Sequence, residues 1–554
     1  MLQSTMMDVP LSIPFLLERA KALFADKKVV SYIPVGIDPE TKLPIPGRLE
    51  QTYGQMYDRS HQLMHALAEA GVQPGDRVAT FATNSYRHLE LYFAVPCMGA
   101  VCHMINIRLP DDQVVYIINH AEDKVLFVDN FLGPRLPAIL AKCPTIKLVV
   151  IMGAVPALPP GAEDYEAFIA HKSHRYVYPE IDERQASGMC YTSGTTGNPK
   201  GVLYSHRAIV LHCLTSAMGE LMGLSEADTV LPIVPMFHVN AWGYPYMCPT
   251  VGANLVFTSL FTDPKFLAQV FADEAVTHTA GVPTIWMGLL DELDRAKKAG
   301  TPHNTSSIGS LVVGGSAAPR GMIEAFGERH GLHVIHAWGM TETTPLGTMN
   351  TLKPAHRLLE KNALYDQMAL TGRPTALIEI KLVDEHDDPM PNDGKSIGRL
   401  LVRGPWVTAS YYKDEAGTAA TQQNGWFDTG DIATINPEGY MMIQDRAKDL
   451  IKSGGEWISS VDLENTLMGH PSIREAAVVA VPHPKWDERP LGVVVLREGS
   501  SLDKTSLDAY LLEHGFAKWM LPDAYEVVAE IPKTTVGKFL KRALREQYKN
   551  YQLS

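Results

Sequence analysis

The stretch Tyr191-Thr-Ser-Gly-Thr-Thr-Gly-Asn-Pro-Lys-Gly201 holds three glycines, four Ser/Thr hydroxyls and one lysine within eleven residues. Glycines let backbone N–H groups turn inward, hydroxyls donate to oxyanions, and Lys200 adds positive charge. The segment therefore reads as a phosphate-binding loop. Apolar runs flank it, Gly188 to Tyr191 before and Val202 to Tyr204 after. That context makes it a connection between strands rather than a loose surface loop. The spacing GxxxxGK[ST] is absent, so it is not a Walker loop.

Outward from this loop, short apolar runs again end in glycine turns. Leu311-Val312-Val313 precedes Gly314-Gly315, and Val334 to Ala337 precedes Trp338-Gly339. Pro319 suits the first turn of a following helix, where its missing N–H has no partner to lose. Strand, loop and helix in succession predict an α/β fold with ligands at the C-terminal ends of strands. The pattern changes near residue 440. Gly439 to Gln444 reads as a strand, and a polar, basic, glycine-bearing run, DRAKDLIKSGGEW, follows. Ser460 can cap a helix that stops at Gly469, and two β-rich runs come next, Ala476 to Val481 and Leu491 to Leu496. The expected organisation is a large N-terminal α/β domain, residues 1–446, with sheets and a β-rich subdomain. A small mobile α+β domain, residues 447–554, follows it. Pro34 to Arg48 reads as an additional loop.

The 554 residues carry 49 Lys and Arg against 62 Asp and Glu, a net charge of −13. That balance argues against nucleic acid as a partner. The six cysteines, Cys97, Cys102, Cys143, Cys190, Cys213 and Cys248, form no CxxC pair and sit mostly among apolar residues. They read as buried free thiols in a reducing cytoplasm. No basic and apolar leader is visible at the N-terminus, and no apolar run reaches the ~18 residues of a membrane span. A peripheral membrane contact stays open.

The phosphate loop resembles the signature of the adenylate-forming superfamily, which holds acyl-CoA synthetases, peptide-synthetase adenylation domains and beetle luciferases. Further segments resemble that family in its order: Pro235-Met-Phe-His-Val-Asn-Ala-Trp242, Trp338-Gly-Met-Thr-Glu-Thr343, Gly425-Trp-Phe-Asp-Thr-Gly-Asp431, Asp445-Arg-Ala-Lys-Asp449 and Pro532-Lys-Thr-Thr-Val-Gly-Lys538. HVNAW, IKSGGEWIS and KWDERP are most similar to bacterial medium- and long-chain fatty acyl-CoA ligases and to methylthiopropionate–CoA ligases. The resemblance implies an ATP-dependent acid–CoA ligase with Mg²⁺ as its metal and coenzyme A as co-substrate. It would work through acyl-AMP and give acyl-CoA, AMP and pyrophosphate.

The same resemblance assigns roles. Thr192, Ser193, Gly194, Thr195, Thr196, Gly197 and Lys200 would cradle phosphates. Thr192 and Glu342 would hold Mg²⁺, a hard ion that prefers oxygen. Gly315, Ser316, His336, Ala337, Trp338, Gly339 and Thr341 would surround the nucleotide, with Trp338 offering adenine a flat face. Asp431 would hold the ribose hydroxyls, and Arg446 and Lys452 would stand near ribose and phosphate. Lys448 would be the hinge about which the small domain swings. Lys538, with Glu342 and Thr341, is the catalytic candidate, since a mobile lysine can neutralise charge between carboxylate and α-phosphate. Gly454, Gly455, Glu456 and Trp457 would border the pantetheine path after rotation. On the acyl side stand Gly314, His238 and Trp242. His238 either lines the acid's path or is a satisfied structural histidine, and Trp242 either gates an apolar tunnel or is ordinary core.

Other classes remain to be separated. A stand-alone adenylation enzyme would load a carrier protein instead of free CoA. A luciferase-like oxygenase would emit light. A non-catalytic binding protein would have no need of Lys538 or Glu342. Relatives in the family suggest a homodimer formed through the N-terminal domain. The apolar residues Ile13, Phe15, Leu16, Leu17, Ala20 and Leu23 would supply the surface, unless that stretch packs on its own subunit.

Overall fold

The computed structural model describes residues 4–192, 198–454, 456–534 and 538–553. Ser193, Gly194, Thr195, Thr196, Gly197 and Gly455 of the candidates above lie outside them. Chain contacts divide the protein into two units. The first comprises Met1–Thr279, Met340–Leu346 and Gly404–Thr418, and the second Ala280–Gly339, Gly347–Arg403 and Ala419–Ser554.

In the first unit a seven-stranded sheet runs in the order Ala162–Asp164, Leu148–Met152, Val125–Asp129, Arg77–Phe81, Val101–Met104, Ala186–Tyr191, Gly201–Ser205. All its pairings are parallel except the last. Parallel strands are covered on both faces, so they need continuous apolar runs. Val125–Asp129 is buried at all five positions. Leu126, Val128, Ala79, Phe81 and Ile151 share one core with Ile117 and Ile118 of the helix Asp111–Ala121. Burial of each of the Leu, Val, Ile and Phe side chains stabilises the fold by about 1.5–3 kcal/mol. In the same unit Lys28–Ile37 pairs antiparallel with Pro44–Thr52 and parallel with Asn254–Phe257, which pairs in turn with Thr229–Pro232.

The second unit holds the parallel pair Ser310–Val313 and Val334–Gly339. An antiparallel sheet contains Glu379–Val383, Gly398–Arg403, Trp426–Ile435 and Met441–Arg446. Its C-terminal part is α+β. There Ile473–His483 and Asp487–Leu496 pair over their whole length, with Ala476 opposite Val494. Side chains alternate across this sheet with the period of two that a strand imposes. Ala476 and Val478 join Leu463, Leu467, Leu507 and Leu511 on one face, while Ala477, Val479 and Val481 join Ile531 and Leu544 on the other. The α/β class with a small C-terminal α+β part is as expected.

Three local readings change. Pro34 to Arg48 is not a loop: its residues belong largely to the hairpin strands Lys28–Ile37 and Pro44–Thr52. Prolines mask a strand in the sequence, yet an edge strand tolerates them because it leaves N–H groups unpaired. The cap of the helix Ser460–Met468 is Ser459, whose side chain accepts from the Asp462 N–H. Pro319 is the residue before the helix Arg320–His330 rather than part of its first turn.

Candidate functional site

The first unit carries the base of the phosphate loop. Thr192 N–H donates to the Lys200 carbonyl at 2.9 Å, and the Lys200 N–H donates back to the Thr192 hydroxyl at 3.1 Å. These bonds close the neck of the loop. A Cβ at Gly201 would fall 2.6 Å from Met189 Cε and 3.3 Å from Tyr412 Cβ, so the chain is closely packed where the strand leaves the loop. Lys200 lies 4.6 Å from the centre of the Tyr411 ring and 3.8 Å from Asp414 Oδ2. Tyr411 also donates its hydroxyl to Glu342 Oε1 at 2.6 Å. Glu342 is only 6% exposed. Thr341 is fixed next to it, its carbonyl accepting the Tyr204 hydroxyl at 3.0 Å. The metal candidates are thus oxygen donors, one buried carboxylate and one hydroxyl. No group of three His, Cys, Asp or Glu suited to a metal occurs among the described residues. That donor set fits Mg²⁺, which keeps much of its shell for water and phosphate oxygens and takes one or two protein carboxylates.

The acyl-side segment also lies in the first unit. His238 and Trp242 are half-buried at the two ends of a turn in which Val239, Asn240, Ala241 and Trp242 all have positive φ, between 44° and 56°. Left-handed backbone costs a non-glycine residue about 1–2 kcal/mol. Strain of this kind clusters where function demands a fixed geometry.

The second unit assembles the nucleotide candidates around Asp431, which is 3% exposed. Asp431 and Arg446 face each other across the antiparallel pair Trp426–Ile435 and Met441–Arg446. Arg446 Nε stands 2.6 Å from Oδ1, and Trp338 Nε1 donates to Oδ2 at 2.9 Å. A Cβ at Gly347 would fall 2.3 Å from Trp338 Cζ3, so the backbone at Gly347 packs directly on the indole. His336 has a supporting role here. Its Nδ1–H donates to the Ala369 carbonyl at 3.0 Å and its Nε2 accepts the Ala318 N–H at 3.3 Å. Burial pushes its pKa down to about 4, so it is the neutral ring that braces the loop after Gly314-Gly315-Ser316.

Gly315 has φ +84°, and a Cβ added there would meet Lys538 Cε at 3.6 Å. Lys538 N–H donates to the Thr534 hydroxyl at 3.1 Å, which fixes the approach of its chain. Lys448 is exposed, and its pKa is lowered, first by the loss of surrounding water and then by Arg446, Arg545 and Arg542. Lys452 lies over the Trp457 ring at 5.6 Å from its centre, and that tryptophan is 48% exposed. Gly454 is needed at φ +61° because Trp486 occupies the space a side chain would take, at 2.7 Å. The residue missed in the sequence is Tyr411. A Ser-Tyr-Tyr tripeptide gives no local signal, and its partner Glu342 lies 69 positions away.

Residues 19–412 match the AMP-binding enzyme family and residues 462–538 match the AMP-binding enzyme C-terminal domain. The chain is 50% identical to a long-chain-fatty-acid–CoA ligase of Thermus thermophilus, over 99% of this chain and 97% of that protein. It is 46% identical to a medium-chain-fatty-acid–CoA ligase of Ectopseudomonas oleovorans (88% and 89% covered). It is 43% identical to a 3-methylmercaptopropionyl-CoA ligase of Ruegeria lacuscaerulensis (98% of each covered). In fold it resembles the crystal structure of an anthranilate CoA ligase in complex with anthranoyl-AMP, with a TM-score of 0.85 at 24% identity and 98% coverage of each chain. With the phosphate-loop neck, the buried Glu342 and the Asp431–Trp338 pair in place, the chain belongs to the AMP-binding enzyme family, among the acyl-CoA ligases of the adenylate-forming superfamily.

Proposed function

We propose that the protein is an ATP-dependent fatty-acid–CoA ligase that works through an enzyme-bound acyl-AMP. The observation that carries this reading is the seating of Lys538 against Gly315, beside the loop that follows the strand Ser310–Val313. A carboxylate is a poor electrophile and must first displace pyrophosphate from the α-phosphate of ATP. Two anions meet in that step, and the Lys538 ammonium neutralises the charge that builds between them. Asp431 holds the ribose, Trp338 the adenine, and Lys200 with the phosphate loop the β- and γ-phosphates. Glu342 and Thr192 would hold Mg²⁺, which screens the phosphate charge. In the second step residues 447–554 rotate about Lys448 and withdraw Lys538. Gly454 to Trp457 then border the path by which the CoA thiol reaches the acyl carbonyl, and AMP leaves.

His238 and Trp242 line the acid's path, and the rigid turn between them fixes its direction. The relatives at 50% and 46% identity support a long- or medium-chain acid. A second reading, 3-methylthiopropionate, rests on the relative at 43% identity. A cytoplasmic homodimer completes the proposal. Ile13, Leu16, Leu17 and Ala20 are buried within the chain itself, so they do not form the dimer surface, whereas Phe15 and Leu23 are exposed. Acid-dependent exchange of pyrophosphate into ATP, followed by thioester formation with free CoA, tests the activity. A panel from 3-methylthiopropionate to palmitate identifies the acid. Lys538→Ala should cut exchange by about 10²–10³ and spare thioester formation from supplied acyl-AMP. No acid-dependent exchange across the panel would refute the reading.

A further inference from the structure

The strand Met441–Arg446 leads into the hinge segment, and the chain returns through the hairpin Ile451–Ser453 and Glu456–Ile458 to the helix Ser460–Met468. Across this return the two sides of Lys448 are bonded together. The Ser459 hydroxyl donates to the Gln444 carbonyl at 2.5 Å. The Ser460 N–H donates to Asp445 Oδ2 at 2.8 Å, and the Ser460 hydroxyl donates to the same oxygen. Lys541, which opens the helix Lys541–Tyr548, donates to the Ser460 hydroxyl at 2.5 Å, pairs with Glu464 at 2.7 Å, and lies 4.0 Å from Asp445 Oδ1. Ser460 and Asp445 are buried.

Gln444 and Asp445 precede the hinge, while Ser459, Ser460, Glu464 and Lys541 follow it. Rotation at Lys448 therefore carries the second set away from the first and breaks every bond between them. Asp445 would lose a backbone N–H, a hydroxyl and a nearby ammonium in one movement. Hydrogen bonds to a charged acceptor are the strong ones, so these bonds count towards one orientation only. It is the orientation in which Lys538 meets Gly315.

We propose that Asp445, Ser459, Ser460 and Lys541 form a clasp that weights the enzyme towards the lysine-in orientation and so sets the balance between its two half-reactions. None of them belongs to the nucleotide, metal or acyl sites assigned above, and the proposal gives them the part of positioning residues. The inference rests on the two-step reading above. Ser460→Ala removes the hydroxyl bridge, and Asp445→Asn removes the charge that the bridge serves. Each should shift the orientation equilibrium by about ten- to a hundred-fold. The readouts are the rate of ATP–pyrophosphate exchange and the rate of thioester formation from supplied acyl-AMP and CoA, with the melting temperature measured in parallel. The expected result is slower exchange by about ten-fold or more, with thioester formation unchanged or faster. An equal fall in both rates, or unaltered exchange, in the Ser460→Ala enzyme would overturn the clasp. Lys538→Ala run alongside keeps the two ideas apart. If that variant fails to separate the half-reactions, the two-step reading is at fault; if it separates them and Ser460→Ala does not, the clasp is.

Discussion

Asp431→Asn isolates one contact of the nucleotide site. The carboxylate takes the Trp338 N–H on Oδ2 at 2.9 Å and the Arg446 guanidinium on Oδ1 at 2.6 Å. Each oxygen keeps a second lone pair, and those two are what a ribose diol would use. Asparagine keeps one acceptor and turns the other into an NH₂ that faces a donor. One charge-assisted bond inside the protein is then lost, about 1.5–3 kcal/mol. The Arg446 side chain is 43% exposed, so its ion pair adds less than about 1 kcal/mol. One ribose hydroxyl loses its acceptor at a similar cost. KM for ATP should rise about ten- to a hundred-fold, with kcat little changed, because the ribose is remote from the reacting atoms. Steady-state kinetics with ATP and with 2′-deoxy-ATP form a cycle. The unaltered enzyme should prefer ATP strongly and the Asp431→Asn enzyme only weakly. An undiminished preference in the variant would show that Asp431 does not hold the ribose.

Lys448→Pro should leave acyl-AMP formation intact and stop transfer to CoA, because proline fixes φ at the hinge; quenched-flow analysis should find acyl-AMP accumulating on the enzyme. Tyr411→Phe removes the 2.6 Å donor from Glu342, and the Mg²⁺ concentration for half-maximal exchange should rise about ten-fold, as is usual when a ligand loses its supporting hydrogen bond. A Cβ at Gly321 would lie 3.5 Å from Gly469 Cα, so Gly321→Cys with Gly469→Cys should form a disulfide once the Tyr510 hydroxyl and the Thr466 carbonyl, 2.9 and 3.1 Å from a Cβ at Gly469, give way. The oxidised enzyme should still exchange pyrophosphate but form no thioester until it is reduced; thioester formation without reduction would contradict rotation.

Legibility in the sequence followed how local each signal was. The phosphate loop declares itself because glycines and hydroxyls are concentrated in one short run, and Trp338, Asp431 and Lys538 stand beside glycines in segments of the same kind. The C-terminal strand around Ala476 to Val481 was readable for a similar reason, as a short unbroken apolar run rich in β-branched valine, whereas the sorting of its side chains onto two faces came only with the structure. Tyr411 was not, because its partner Glu342 is supplied by folding rather than by spacing. Adjacent serines at 459 and 460 are equally good caps on paper. The position of Asp445 decides between them, leaving Ser459 to cap the helix and drawing Ser460 away. The left-handed turn after His238 was equally hidden, because it consists of four residues that rarely adopt positive φ.

The six cysteines are all unpaired and buried. Burial pushes every one of their thiols above the ordinary range, Cys143 and Cys190 to about 11. A mixed anhydride is attacked by thiolate, not by thiol. An enzyme that makes acyl-AMP in order to hand it to a sulfur nucleophile risks acylating its own sulfur first. With its cysteines sequestered and protonated, this chain leaves the incoming cofactor as the dominant thiolate, and the activated acid is protected from self-modification without a dedicated shield.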